Sequence, residues 1–216
     1  MDAASRFARF ERARFVSELI ELIRFPSVGG DRRRARDVAA CAAWLARHLA
    51  SIGFDRAEVM PTRGHPAVVA EWGRAARGAN GGRAPTLLVY GHYDVQPEGA
   101  RSEWTRAPFD PAVRDGAVVG RGASDDKGQL FAHVKALESY LATSGALPLC
   151  VKCVFEGEEE IGSPSLAPLL EAHRERLAAD VAVVSDSTLA PGGRPSLTYA
   201  TRGQVSLDVE VRTLAR

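Results

Sequence analysis

The sequence predicts an α/β fold in which a mostly parallel sheet is sandwiched by helices, and three observations predict it. Apolar, strand-forming runs at 87–90, 149–155 and 181–184 alternate with stretches whose apolar residues recur at helical spacing, the pattern of parallel strands joined by crossover helices. Several of those runs end in acidic or imidazole residues, as strands do when their carboxyl ends border a ligand crevice. With 216 residues, 45% of them hydrophobic, the chain is long enough to bury a substantial core.

The elements follow in order. Phe7, Phe10, Phe15, Leu19, Leu22 and Ile23 predict a helix over 6–24, stopped by Pro26. A second helix is expected from about Asp31 to Ser51, with Val38, Cys41, Trp44, Leu45 and Leu49 on its inner face and Gly53 closing it. AEVM and AVVAEW read as short strands around Pro61–Gly64, and the glycine- and arginine-rich stretch Gly73–Pro85 reads as a hairpin connection to the next strand. That strand, Leu87–Tyr90, runs through Gly91 into His92 and Asp94.

Residues 98–122 are irregular, but Trp104, Pro108, Phe109, Pro111 and the Asp115–Gly116 pair predict an ordered loop, and a long ordered loop beside a candidate site is often functional. A helix follows over about 127–144, with Leu130, Val134, Leu137 and Leu141 facing the core. The strand at 149–155 ends in Glu156, Glu158, Glu159 and Glu160. Ser163 and Pro164 are expected to cap and open a helix reaching about Leu177. VAVVSDST reads as a further buried strand with Asp186 at its end. In the last stretch Leu207, Val209 and Val211 alternate with Asp208, Glu210 and Arg212, the pattern of a half-buried antiparallel strand. Its apolar face has nothing later in the chain to cover it, so the sequence is expected to be the front part of a longer protein.

Composition excludes several classes. The net charge is +1, and the basic run DRRRARD is flanked by aspartates, so nothing argues for nucleic acid as a partner. No run of about 18 apolar residues could span a membrane, and the charged amino terminus has no signal-peptide core. Three cysteines make no disulfide framework, and a cytoplasmic location is expected. Cys150 and Cys153 form a C-x-x-C, but their odd offset in a strand-like run puts them on opposite faces, and no second pair completes a zinc site.

The informative residues are His92 and Asp94, Asp125 and Asp126, Glu159 and Glu160, and Asp186. Residues two apart on a strand point the same way, and a carboxylate behind a histidine fixes its tautomer for metal binding. Several carboxylates on one sheet edge repel one another unless cations hold them, and a donor set of imidazole and carboxylate without thiolate suits a hydrolytic zinc or manganese site, with a bridging carboxylate suiting a pair of ions.

In YGHYDVQP, RGASDDKGQ, EGEEEIGS and SDST, at spacings of 33 positions (92 to 125) and 35 positions (125 to 160), the chain resembles the two-metal metallopeptidase family of carnosinase, cytosolic non-specific dipeptidase, glutamate carboxypeptidase and acetylornithine deacetylase. The resemblance covers essentially residues 10–216 and is nearest the dipeptidase branch. It implies the zinc-exopeptidase fold, with residues 1–200 as the front of the catalytic domain and 201–216 as the first strand toward a lid and dimerisation domain. It implies two divalent ions, zinc foremost with manganese or cobalt as alternatives. His92 and Asp186 would bind the first ion, Asp125 would bridge both through a cis peptide to Asp126, and Glu160 would bind the second. Asp94 would orient His92, and Glu159 would be the general base of a metal-activated water attacking the peptide bond of dipeptides or C-terminally substituted small peptides.

The same resemblance implies a homodimer formed through the lid. It also implies that a lid histidine and a second-metal histidine lie outside these residues, so that the 216 residues alone bind at most one ion tightly. His48, His65, His133 and His173 match no ligand position and are expected to be structural or surface residues. The alternatives are an N-acyl amino-acid deacylase of the same family and, in another class, a binding fragment without catalysis.

Overall fold

The computed structural model describes residues 2–73 and 82–188, together with 192, 194, 196–198, 200, 203, 205, 207–211 and 213. The first helical stretch is two helices, α1 (Ala3–Phe10) and α2 (Arg12–Ile23), where the apolar spacing predicts one. The break falls at Glu11, whose backbone leaves the helical region and whose carboxylate pairs with Arg14 at 2.6 Å. α1 is capped by Asp2, which accepts from the Ser5 N–H at 2.7 Å. A short 3-10 turn at Arg32–Arg34 precedes α3 (Ala35–Ser51), whose buried face of Val38, Cys41, Leu45 and Leu49 is the expected one. Gly53 follows with φ +103°, a conformation that glycine adopts without strain.

Among the described residues five strands make the main sheet: β1 (Arg56–Met60), β2 (Ala67–Trp72), β3 (Thr86–His92), β6 (Cys150–Glu156) and β7 (Val181–Val184). Their spatial order is β1-β2-β6-β3-β7. β6, β3 and β7 are parallel, with Gly91 opposite Phe155 and His92 opposite Glu156, whereas β1 and β2 form an antiparallel flank. The sheet is therefore mixed. β6 lies between β2 and β3, so the Gly73–Pro85 stretch is not a hairpin connection as the sequence suggests; residues 74–81 of it lie outside the described residues.

Strand alternation divides the core into two layers. On one face Val68, Ala70, Cys153 and Phe155 pack with Leu22, Val38, Leu45 and Leu49, and with Leu130, Phe131 and Val134 of α4 (Lys127–Ser144). On the other, Ala67, Val69 and Val154 pack with Leu169 of α5 (Leu166–Ala172) and Leu177 of α6 (Arg174–Leu177). Helices thus cover both faces, as predicted. Cys153 is buried in the first layer, Cys150 is half-buried, and all three cysteines are free thiols.

Three local expectations are corrected. The 98–122 segment holds a hairpin, β4 (Ala112–Arg114) and β5 (Ala117–Val119), whose Asp115 and Gly116 both have positive φ, as a type I′ turn requires. Ser163 does not cap a helix; it sits at φ +52° and α5 begins at Leu166. β7 is an edge strand with Val181 58% and Val184 60% exposed, not a buried one, because it pairs with β3 alone among the described residues. Of the strand expected near the end of the sequence, residues 201, 202, 204, 206, 212 and 214–216 lie outside the described residues, and 207–211 carry no ladder.

Candidate metal centre

The carboxyl ends of the parallel strands β3, β6 and β7 lie side by side, and each delivers part of one site. β3 ends on His92, which is fully buried. Its backbone N–H donates to Asp126 Oδ2 at 3.1 Å, and its Nδ1 lies 3.1 Å from the Asp94 carbonyl oxygen and 3.4 Å from Asp94 Oδ1. Those contacts orient the ring so that Nε2 faces the site. There it lies 3.1 Å from Asp125 Oδ1, 3.5 Å from Asp186 Oδ2 and 4.0 Å from Glu159 Oε2, and it makes no hydrogen bond.

All seven residues singled out in the sequence meet here. Donor atoms of His92, Glu159 and Asp186 form one group and those of His92, Asp125 and Glu160 another, each with its atoms within 4.8 Å of one another. Asp125 is joined to Asp126 by a cis peptide bond. Asp94 is fully buried and has a second task beyond standing behind His92. Its Oδ1 accepts from the Glu159 N–H and its Oδ2 from the Glu160 N–H, both at 3.2 Å, so one carboxylate registers the imidazole and the glutamate turn together.

Electrostatics register the crowding of acids. Burial alone would lower the His92 imidazole, but Asp94, Asp126 and Asp186 outweigh it and raise its pKa to about 10. Glu159 and Glu160 are raised, first by burial and then by their acidic neighbours. Asp126 is pushed up to about 7 by burial, against the His92 N–H that it accepts. The cluster demands positive charge. One imidazole nitrogen and several carboxylate oxygens suit a hard-to-borderline divalent cation, and a buried nitrogen with no hydrogen-bond partner is where such an ion fits.

Sequence reasoning missed five supporting residues. Gln96 Nε2 donates to Glu160 Oε2 at 2.7 Å, and its two-residue step from Asp94 was the available signal. Glu158 accepts from the His65 N–H at 3.1 Å, and the His65 ring reaches the Gly29 carbonyl at 2.9 Å. Glu156 is buried at the end of β6 and accepts from Ser163. His133, read from sequence as structural or surface, has its Nε2 2.6 Å from the Ser185 hydroxyl, next to Asp186.

A second acid–imidazole group, Glu18, His48 and Glu138, has the right ligand types but a different occupant. Lys135 Nζ lies 2.6 Å from His48 Nε2 and 2.6 Å from Glu138 Oε2, and also pairs with Glu18. A side-chain ammonium supplies the cation there.

Comparison with known proteins bears on the same strand ends. The model of peptidase family M20/M25/M40 matches residues 88–213, which begin inside β3 and include every candidate ligand. A cysteinylglycine-S-conjugate dipeptidase from Corynebacterium striatum is 36% identical over 204 residues, 94% of this chain and 43% of that protein. A Beta-Ala-His dipeptidase from Mus musculus is 37% identical over 130 residues, 59% of this chain and 26% of that protein. Among solved structures, the M20 family metallo-carboxypeptidase Sso-CP2 from Sulfolobus solfataricus superposes with a TM-score of 0.72 at 36% identity, covering 84% of this chain and 39% of that one. Human carnosine dipeptidase 1 superposes with a TM-score of 0.76 at 27% identity, covering 87% and 42%. The chain spans less than half the length of each of these relatives. With a family match over more than half of its residues, the chain belongs to peptidase family M20/M25/M40.

Proposed function

We propose that the protein carrying this chain is a metal-dependent dipeptidase that hydrolyses the peptide bond of dipeptides or C-terminally substituted small peptides. The observation that carries the reading is His92 Nε2, buried without a hydrogen bond and faced by Asp125, Asp186 and Glu159. Relatives named as dipeptidases support the substrate class.

His92 and Asp186 would hold one divalent ion, Glu160 a second, and Asp125 would reach both; zinc is the expected metal, with manganese or cobalt as alternatives. Bound there, the ions would polarise the scissile carbonyl and make a water acidic enough to ionise near neutral pH. Glu159 is the general base: its carboxylate takes the proton of the attacking water and returns it to the leaving amine nitrogen, work commonly worth about 10²–10⁴-fold. Asp94 keeps His92 in register and fixes the backbone of Glu159 and Glu160.

The same reading takes residues 1–200 as catalytic-domain sequence and 201–216 as the approach to a lid through which the protein dimerises, on the strength of the family resemblance. Three free cysteines support a reducing, cytoplasmic setting. The test is a zinc titration of the chain, with a panel of dipeptides against N-acyl amino acids for the protein that carries it. Dipeptide turnover supports the proposal, preference for N-acyl amino acids assigns a deacylase instead, and zinc binding without turnover of either assigns a binding protein. Two tight zinc sites with full turnover in these 216 residues would refute the view that they complete only one.

A further inference from the structure

We propose that Glu156 is a positioning residue that sets the Glu159–Glu160 turn from behind, through Ser163. The inference rests on the metal reading above and adds a residue to which that reading gives no part. Glu156 is 3% exposed and is not among the donor atoms grouped around His92 Nε2. Its Oε1 instead accepts two hydroxyl hydrogen bonds, from Tyr90 at 2.5 Å and from Ser163 at 2.8 Å. Tyr90 lies on β3 two residues before His92, and Ser163 lies just beyond the glutamate turn. One buried oxygen therefore ties the strand that carries His92 to the loop that carries Glu159 and Glu160.

The loop needs such a tie. Ser163 holds φ +52°, a region that non-glycine residues occupy at a cost and keep only where surrounding contacts impose it. Its backbone N–H donates to the Glu158 carbonyl at 2.8 Å, and the Gly162 N–H donates to that of Glu159 at 2.9 Å. The Ser163 conformation is thus tied by backbone bonds to the start of the glutamate turn, at Glu158 and, through its neighbour Gly162, at Glu159. From the opposite side, Asp94 accepts the N–H groups of Glu159 and Glu160. The turn is held between two buried carboxylates, Asp94 in front and Glu156 behind. Glu158 fixes a third direction through His65. Of the four glutamates in the run, 156 and 158 anchor while 159 and 160 project into the site.

Cobalt titration of the 216-residue chain, followed by visible absorption, tests this with Glu156→Leu, Glu156→Gln and Ser163→Ala. Glutamine keeps an oxygen that can accept both hydroxyls, and leucine does not. The expected result is cobalt affinity weakened about tenfold or more in E156L and S163A, the scale typical of groups supporting metal ligands, with a changed spectrum per bound ion. E156Q should stay near the parent in both. Circular dichroism checks the fold; if E156L does not fold, S163A, which leaves the carboxylate in place, decides. Parent-like affinity and spectrum in S163A and any folded E156L would overturn this inference alone, as would an E156Q loss equal to that of E156L. Absence of cobalt binding by the parent chain would overturn the metal reading and this inference together.

Discussion

Gly29 packs directly against Asp94: a Cβ added to it would lie 2.5 Å from Asp94 Oδ2 and 3.1 Å from the Gly157 carbonyl oxygen. The 26–30 loop therefore closes over the carboxylate that aligns His92 with the glutamate turn. Gly29→Ala should displace Asp94, weaken zinc binding by about 10–100-fold and cost about 1–3 kcal/mol of stability. Calorimetric titration together with urea unfolding would check both, and unchanged zinc affinity would show that Asp94 moves without consequence.

Glu159→Gln separates chemistry from binding. In the protein that carries this chain, dipeptide turnover should fall by about 10²–10⁴-fold, because the amide cannot accept the water proton. Metal content, measured by atomic absorption, should stay at the parent value, since Glu159 is assigned as the base and not as a ligand. Retained turnover would remove Glu159 from the mechanism.

Zinc should stabilise the folded chain and chelator should reverse the effect. A ligand bound only by the folded state at a hundred times its dissociation constant adds about 2.7 kcal/mol. Asp125→Asn with Asp186→Asn should abolish the zinc-dependent rise in melting temperature without lowering the metal-free value, because two like charges leave the crowded strand ends. A rise that persists in the double variant would place the zinc elsewhere.

Lys127 is fully buried at the start of α4, and its Nζ donates to the carbonyls of Leu22 at 3.1 Å and Phe25 at 2.7 Å, closing the end of α2. Burial lowers its pKa. Lys127→Met keeps the length but leaves those two carbonyls without that donor, and should cost about 1–3 kcal/mol in urea unfolding. A neutral result would mean that α2 is held by packing alone.

His48 gives a pH dependence away from the strand ends. Burial first and the Lys135 ammonium second hold its imidazole down at about 4, against the upward pull of Glu18 and Glu138 and with Arg14 also opposing protonation. A free histidine titrates near 6.5, so between about pH 6.5 and 4 the unfolded chain binds a proton that the folded chain refuses. This contribution is complete above pH 6.5 and is lost as pH falls toward 4. His48→Gln should flatten the fall in urea midpoint between pH 7 and 5, and equal slopes would show that His48 does not set it.

What could be read from the sequence was what local pattern controls. α3, α4 and the parallel strands follow from residue spacing, and His92, Asp125, Glu160 and Asp186 from short motifs at the ends of those elements. The position of β6 between β2 and β3 was not legible, because strand order is set by pairing between distant segments. Nor was the break at Glu11, which has neither proline nor glycine to mark it. Within EGEEE the motif pointed to Glu159 and Glu160, but not to what Glu156 and Glu158 do, since that depends on Tyr90, His65 and Ser163, residues remote from the run or beyond its end. The exposure of β7 depends on its neighbours in the sheet and not on its own apolar residues.

The Lys135 cluster and the strand-end cluster pose the same problem, acids gathered around an imidazole, and answer it differently. In the first the compensating charge is encoded in the gene and attached to the backbone, so no dialysis removes it and no shortage affects it. In the second, on the function proposed above, it would come from the medium. The helical layer around Lys135 should therefore keep one form at any trace-metal level, while the ends of β3, β6 and β7 follow the free-ion concentration. Storage and buffer history then act first on the site and reach the scaffold only through the stability that a bound ion adds.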